Sequence, residues 1–111
     1  MQDIFAEDIG SGTPLVLVHG FLGSSDMWSP QVDFFRNDFR VIAPALPGFG
    51  KSNDINSCDS IECMARAILD LLEKKEIKNF NLLGHSMGGM VVQEIAKLAG
   101  DKILKLICYG T

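Results

Sequence analysis

Asn81-Leu82-Leu83-Gly84-His85-Ser86-Met87-Gly88-Gly89 is the stretch that decides how this chain is read. Its apolar start predicts the end of a buried strand. Residues 86–99 then carry the periodicity of an amphipathic helix. Between the two, Gly84-His85-Ser86-Met87-Gly88 fits G-x-S-x-G. With a strand before it and a helix after it, that pattern predicts a nucleophile elbow, a sharp turn that lifts one serine hydroxyl above a sheet. Gly84 and Gly88 suit such a turn because strand and helix pass too close for a Cβ. The helix N-terminus would turn unpaired N–H groups and a partial positive charge towards anything attached to Ser86. A bare G-x-S-x-G would equally describe an ordinary glycine-rich turn; the flanking elements carry the stronger reading.

Working outward from this centre, residues 4–9 predict an opening strand and residues 10–14 a turn. Leu15-Val16-Leu17-Val18 is a continuous apolar run, as expected of a strand covered on both faces. It ends in the glycine- and serine-rich loop His19-Gly20-Phe21-Leu22-Gly23-Ser24-Ser25. Residues 27–36 predict a helix with Trp28, Val32 and Phe35 on one face and Pro30 in its first turn. Residues 39–43 form a second core strand and residues 44–56 a long loop. Residues 59–76 give the clearest helix, with Asp59 and Glu62 resembling a capping box. Residues 80–83 are a third core strand. Gly100 stops the helix after it, and residues 103–109 form a fourth core strand that would be left as an exposed apolar edge. Alternating strands and helices imply a single α/β domain over residues 1–111: a three-layer sandwich around a mostly parallel sheet.

Composition narrows the function. The chain has 111 residues, 47% hydrophobic and 22% charged, an ordinary globular balance. A net charge of −4 and the lack of a basic run argue against a nucleic-acid partner. The acidic start, Met1 to Asp8, has no long apolar core and does not read as a secretory signal. No apolar run approaches the ~20 residues that span a bilayer, and no segment reads as a membrane-surface helix. Cys58, Cys63 and Cys108 are an odd count without metal-ligand spacing, and read as reduced thiols of a cytoplasmic protein. No cofactor or metal is expected.

Three motifs in order resemble the α/β-hydrolase fold family. They are His19-Gly20-Phe21 after the first core strand, Pro47-Gly48-Phe49-Gly50-Lys51-Ser52 after the second, and Gly84-His85-Ser86-Met87-Gly88-Gly89 after the third. The flavour is that of small soluble esterases, lactonases and carbon–carbon bond hydrolases, which these motifs do not separate. The resemblance implies that Ser86 is a nucleophile forming an acyl-enzyme with a small acyl substrate. It implies an oxyanion hole from the backbone N–H groups of Phe21 and Met87. His19 is expected to brace the loop by bonding backbone rather than to act as a base. His85 is expected to pack or position, its side chain pointing away from the Ser86 hydroxyl. Gly20, Gly84 and Gly88 would support the same site.

The family's triad partners follow the serine in the order acid, then histidine. Here the two histidines, His19 and His85, precede Ser86, and the carboxylates after it, Glu94 and Asp101, read as solvated surface charges. The chain is therefore expected to be an N-terminal portion of such a domain, without cap or C-terminal strands, truncated natively or by an incomplete gene model. It would be inactive alone and completed by a missing C-terminal segment or a second chain. One rival is a non-catalytic fragment or interaction module. Another is a nucleotide binder, since Ala45-Leu46-Pro47-Gly48-Phe49-Gly50-Lys51-Ser52 nearly matches a phosphate-binding loop. That loop needs its Lys-Ser to open a helix, and Asn53-Asp54-Ile55-Asn56-Ser57 is loop chemistry instead.

Overall fold

The computed structural model describes residues 4–20, 25–52 and 57–110. In chain order the elements are β1 (Ala6–Ile9), β2 (Thr13–Val18), α1 (Ser29–Phe35), β3 (Phe39–Pro44), α2 (Ile61–Lys74), β4 (Phe80–His85), α3 (Met87–Ala99) and β5 (Ile103–Tyr109). Short 3-10 turns lie at Ser25–Trp28, Gly50–Ser52 and Gly100–Lys102.

The five strands form one sheet in the order β1-β3-β2-β4-β5. β1 runs antiparallel to β3, and every other pairing is parallel. Strand alternation sorts the apolar side chains to two faces. Leu15, Leu17, Val41 and Ala43 meet Trp28 and Val32 on the α1 side. Val16, Val18, Ile42 and Leu82 meet Met64, Ala65 and Ile68 of α2 and Val91, Val92 and Ile95 of α3 on the other. The result is the expected α/β architecture of helices on both faces of a mostly parallel sheet. Burying each large side chain of this set contributes about 1.5–3 kcal/mol.

The chain leaves β2 for β3 on one side and returns to β4 on the other. The C-terminal ends of β2 and β4 therefore lie side by side, with Val18 level with Gly84. In an open α/β sheet such a reversal of strand order opens a crevice for a ligand.

Several local expectations are corrected. The helix at 59–76 is capped by Ser60, not by an Asp59–Glu62 box: extended Ser60 accepts from the Cys63 N–H at 3.0 Å. Glu62 lies inside the helix and pairs with Arg66 one turn on, at 2.8 Å. The other end closes in a Schellman arrangement, with Ile77 N–H donating to Leu72 O and Glu76 N–H to Glu73 O. Glu76 takes the left-handed conformation usually given to glycine, φ 59. α3 does end at Gly100, as expected, although at φ −58 that glycine is not left-handed and passes the chain into a 3-10 turn. The helix placed at residues 27–36 is a 3-10 turn followed by α1. Cys58 and Cys63 are not reduced thiols but a disulfide across the N-terminus of α2, their Cα atoms 5.5 Å apart. Cys108 remains a free thiol.

β5 is the edge of the sheet and is exposed along almost its whole length, including Leu104, Leu106, Ile107 and Tyr109. No helix of the described residues is long and apolar enough to cross a membrane.

A charge cluster fastens the opposite edge. Arg40 of β3 grips Asp8 of β1 with Nε and Nη2 at 2.9 and 2.8 Å, and Lys75 Nζ adds a contact at 2.8 Å. The Arg40 guanidinium holds the Asp8 carboxyl down from 3.8 to about 2, against the opposing effect of burial and with help from Lys75. A carboxylate pKa lowered by folding stabilises the fold above its unfolded value and loses that effect as pH falls towards the folded one. Asp8→Asn is expected to cost about 1 kcal/mol at neutral pH, solvent screening keeping it below the full linkage value. Urea unfolding of both proteins should show the difference fading as pH falls from about 4 to about 2.

Candidate active site

Ser86 stands between β4 and α3 with φ 57 and ψ −120. A left-handed φ is unusual for a residue with a Cβ and costs about 1–3 kcal/mol unless its surroundings enforce it. They do so here by hydrogen bonds and by close packing. Ser86 N–H donates to Tyr109 O on β5, and Gly89 N–H donates to Ser86 O, each at 2.9 Å. The Ser86 side chain does not cap α3, and the residue is exposed.

The glycines around it are places where backbone meets backbone. A Cβ on Gly84 would run into the Gly88 carbonyl, and one on Gly88 into the carbonyls of Val18 and His19. The first turn of α3 thus rests on the ends of β4 and β2 together. At the end of β2, a Cβ on Gly20 would stand 3.0 Å from both His85 O and the Ser86 Cβ, and 3.4 Å from the Met87 amide nitrogen. His19-Gly20 and Ser86-Met87, far apart in sequence, therefore meet at the crevice between β2 and β4. Phe21, the other expected backbone donor, lies outside the described residues.

His19 is completely buried, and both ring nitrogens are engaged. Nδ1 donates to Gly20 O at 2.8 Å, and Nε2 accepts from Leu46 N–H at 2.9 Å. This pattern requires the neutral ring with its proton on Nδ1. Burial lowers its pKa from 6.5, more than its bond to the Gly20 carbonyl raises it. The Phe49 ring stands edge-on to it at 5.6 Å. His19 thus pins the loop after β3 onto the end of β2.

His85 belongs to the strand face opposite α3. Its ring stands between Trp28, edge-on at 6.4 Å, and Tyr109, tilted by 32° at 5.3 Å. The sequence singles out His85 but neither of these neighbours. Tyr109 becomes its partner only through the pairing of β4 with β5, and Trp28 only through the turn before α1.

The segment resembling a phosphate loop is used differently. Ser52 is buried, donating its hydroxyl to Ala45 O and accepting from Phe5 N–H, both at 2.8 Å. Gly50–Ser52 is a three-residue 3-10 turn, and Asn53 to Asn56, the next residues of the suspected phosphate loop, lie outside the described residues. The Lys51 ammonium lies over the Phe5 ring at 4.9 Å. Ser52 therefore holds the N-terminal segment in place and is not presented to a phosphate or magnesium ion.

The sequence profile of the family described as "alpha/beta hydrolase fold" matches residues 13–111. The chain belongs to the alpha/beta hydrolase fold family. A pimeloyl-(acyl-carrier protein) methyl ester esterase of Photobacterium profundum is 37% identical over 92% of this chain and 38% of its own length. The structure of a thermophilic esterase from Thermogutta terrifontis is similar at a TM-score of 0.90 and 37% identity, over 95% of this chain and 39% of that one. The N-acyl homoserine lactonase AidH, complexed with N-butanoyl homoserine, gives a TM-score of 0.87 and 30% identity, over 96% and 40%. The chain thus spans about two fifths of the length of these hydrolases.

The packing of α3 on β2 allows a direct check. Gly88→Ala puts a methyl group against backbone carbonyls that cannot swing aside, and should cost about 3 kcal/mol. Gly100→Ala meets nothing within 4 Å at φ −58. It should be neutral or stabilising by about 0.5 kcal/mol. Denaturant midpoints of the two variants measure the contrast.

Proposed function

We propose that this chain is the nucleophile-bearing part of a serine hydrolase acting on a small ester, lactone or related acyl substrate. The reading rests chiefly on Ser86: its strained, exposed backbone at a strand-to-helix turn fits what a nucleophile elbow requires. The Ser86 Oγ attacks the substrate carbonyl carbon, the alkoxide leaves, and the resulting acyl-enzyme is resolved by water. The Met87 N–H, at the positive end of α3, and the Phe21 N–H stabilise the oxyanion of each tetrahedral intermediate. Each such donor is worth about 3 kcal/mol of barrier. Gly20 supports this reading, because a side chain there would crowd Ser86 and Met87. The esterase and lactonase relatives support the substrate class.

The hydroxyl proton needs a base, and neither histidine of this chain suits that role. His19 spends both nitrogens on backbone, and His85 belongs to the face away from α3. On this reading the acid and histidine are supplied from outside these 111 residues. The second reading, a non-catalytic fragment or interaction module of the same fold, is favoured by the same missing imidazole and by the exposed β5 edge.

The test is covalent labelling with a fluorophosphonate, followed by intact mass and peptide mapping. The isolated chain should react slowly, at Ser86 alone, and Ser86→Ala should not react. An oxyanion hole retains some catalysis without its triad, so slow labelling rather than none is expected. Fast stoichiometric labelling would contradict the missing base, and labelling at another residue would contradict the nucleophile.

A further inference from the structure

We propose that Trp28 is a positioning residue for Ser86, acting through the His85 ring that it and Tyr109 hold between them. The inference rests on the reading of Ser86 as nucleophile and adds how that serine is kept in place.

His85 is the last residue of β4 and is joined to Ser86 by one peptide bond. Any swing of the His85 side chain that drags its Cα also turns the plane that sets φ of Ser86. Two rings limit that swing. Trp28, 5% exposed, is wedged among Leu15, Leu17, Val32, Val41 and Ala43 and presents an interplanar angle of 89° to His85. Edge-to-face contacts of this kind are favourable and directional, so they fix orientation as well as distance. Tyr109 covers His85 from the β5 side, and its carbonyl accepts the Ser86 N–H. Side chain and main chain of Tyr109 therefore hold consecutive residues. Trp28 Nε1 is buried with no hydrogen-bond partner among the described residues. What Trp28 offers there is a rigid, packed ring edge rather than a polar bond.

Trp28 ends the 3-10 turn Ser25–Trp28, while its ring meets the residue before Ser86. One side chain thus ties that turn, and the apolar cluster beneath it, to the end of β4. Misplacement of the reacting group by as little as about 1 Å can slow a reaction by about a hundredfold.

The experiment compares Trp28→Phe and Trp28→Leu in the whole chain. Phenylalanine keeps an aromatic edge without the unpaired N–H; leucine keeps apolar filling without a ring. Two readouts are taken on each folded protein: the rate of fluorophosphonate labelling at Ser86, and the NMR carbon shifts and amide-exchange protection of Ser86. Trp28→Leu should slow labelling by about tenfold, move the Ser86 shifts and weaken its protection, while Trp28→Phe stays close to wild type. Wild-type behaviour in Trp28→Leu, or equal losses in both variants, would overturn the proposal. If Trp28→Leu does not fold, Tyr109→Leu against Tyr109→Phe puts the same question from the other side of His85, with the same expected and contrary results. A wild-type chain that never labels at Ser86 would sink the nucleophile reading, and the NMR readout would then decide the positioning role by itself.

Discussion

A residue that carries a Cβ stays at φ 57 only when its neighbours deny the backbone anything easier, and at Ser86 they do so from several directions. Tyr109 O fixes its N–H, Gly89 N–H fixes its carbonyl, and α3 starts at the next residue. Beneath it, Gly84, Gly88 and Gly20 let β4, α3 and β2 approach to backbone contact. The turn cannot relax without lifting the helix off the sheet. An ordinary strand-to-helix connection would have no use for this strain. An exposed hydroxyl held at a fixed height beside helix N–H groups would.

The sheet supplies the rest. The reversal of strand order at β2 brings His19-Gly20 and Ser86-Met87 together, and His19 fastens the loop after β3 there by taking the Leu46 N–H. At the far edge the Asp8–Arg40–Lys75 cluster ties β1 to β3 and to the end of α2. The β5 edge has no comparable fastening among the described residues, and its Leu104 and Ile107 are 53% and 52% exposed. Exposed apolar edge strands of this sort attract another strand. The site therefore lies between an edge fastened by charge and an exposed apolar edge.

Much of this is legible in the residue order because steric demands leave local marks. Leu15 to Val18 is apolar at every position since both faces of β2 are covered. The glycines flanking His85-Ser86-Met87 mark a turn too tight for side chains. Caps and pairs are less legible. Asp59 and Ser60 are both good N-cap residues, and only the extended backbone at Ser60 decides between them. Nor does an odd cysteine count announce the joining of Cys58 to Cys63. Trp28 reads as one apolar position of a helix, yet its ring lies against His85 because α1 starts one residue later. Contacts made across the sheet have no period in the sequence to announce them.

The most direct measurement is the relative stability of Ser86→Gly and Ser86→Ala in urea. Within an ordinary helix alanine is the better residue by about 1 kcal/mol. At a left-handed position the order reverses, because glycine removes the clash that alanine retains. This account requires Ser86→Gly to be the more stable by about 1 kcal/mol. Equal stability, or an advantage for Ser86→Ala, would mean that residue 86 is not held in the strained turn on which the proposed chemistry depends.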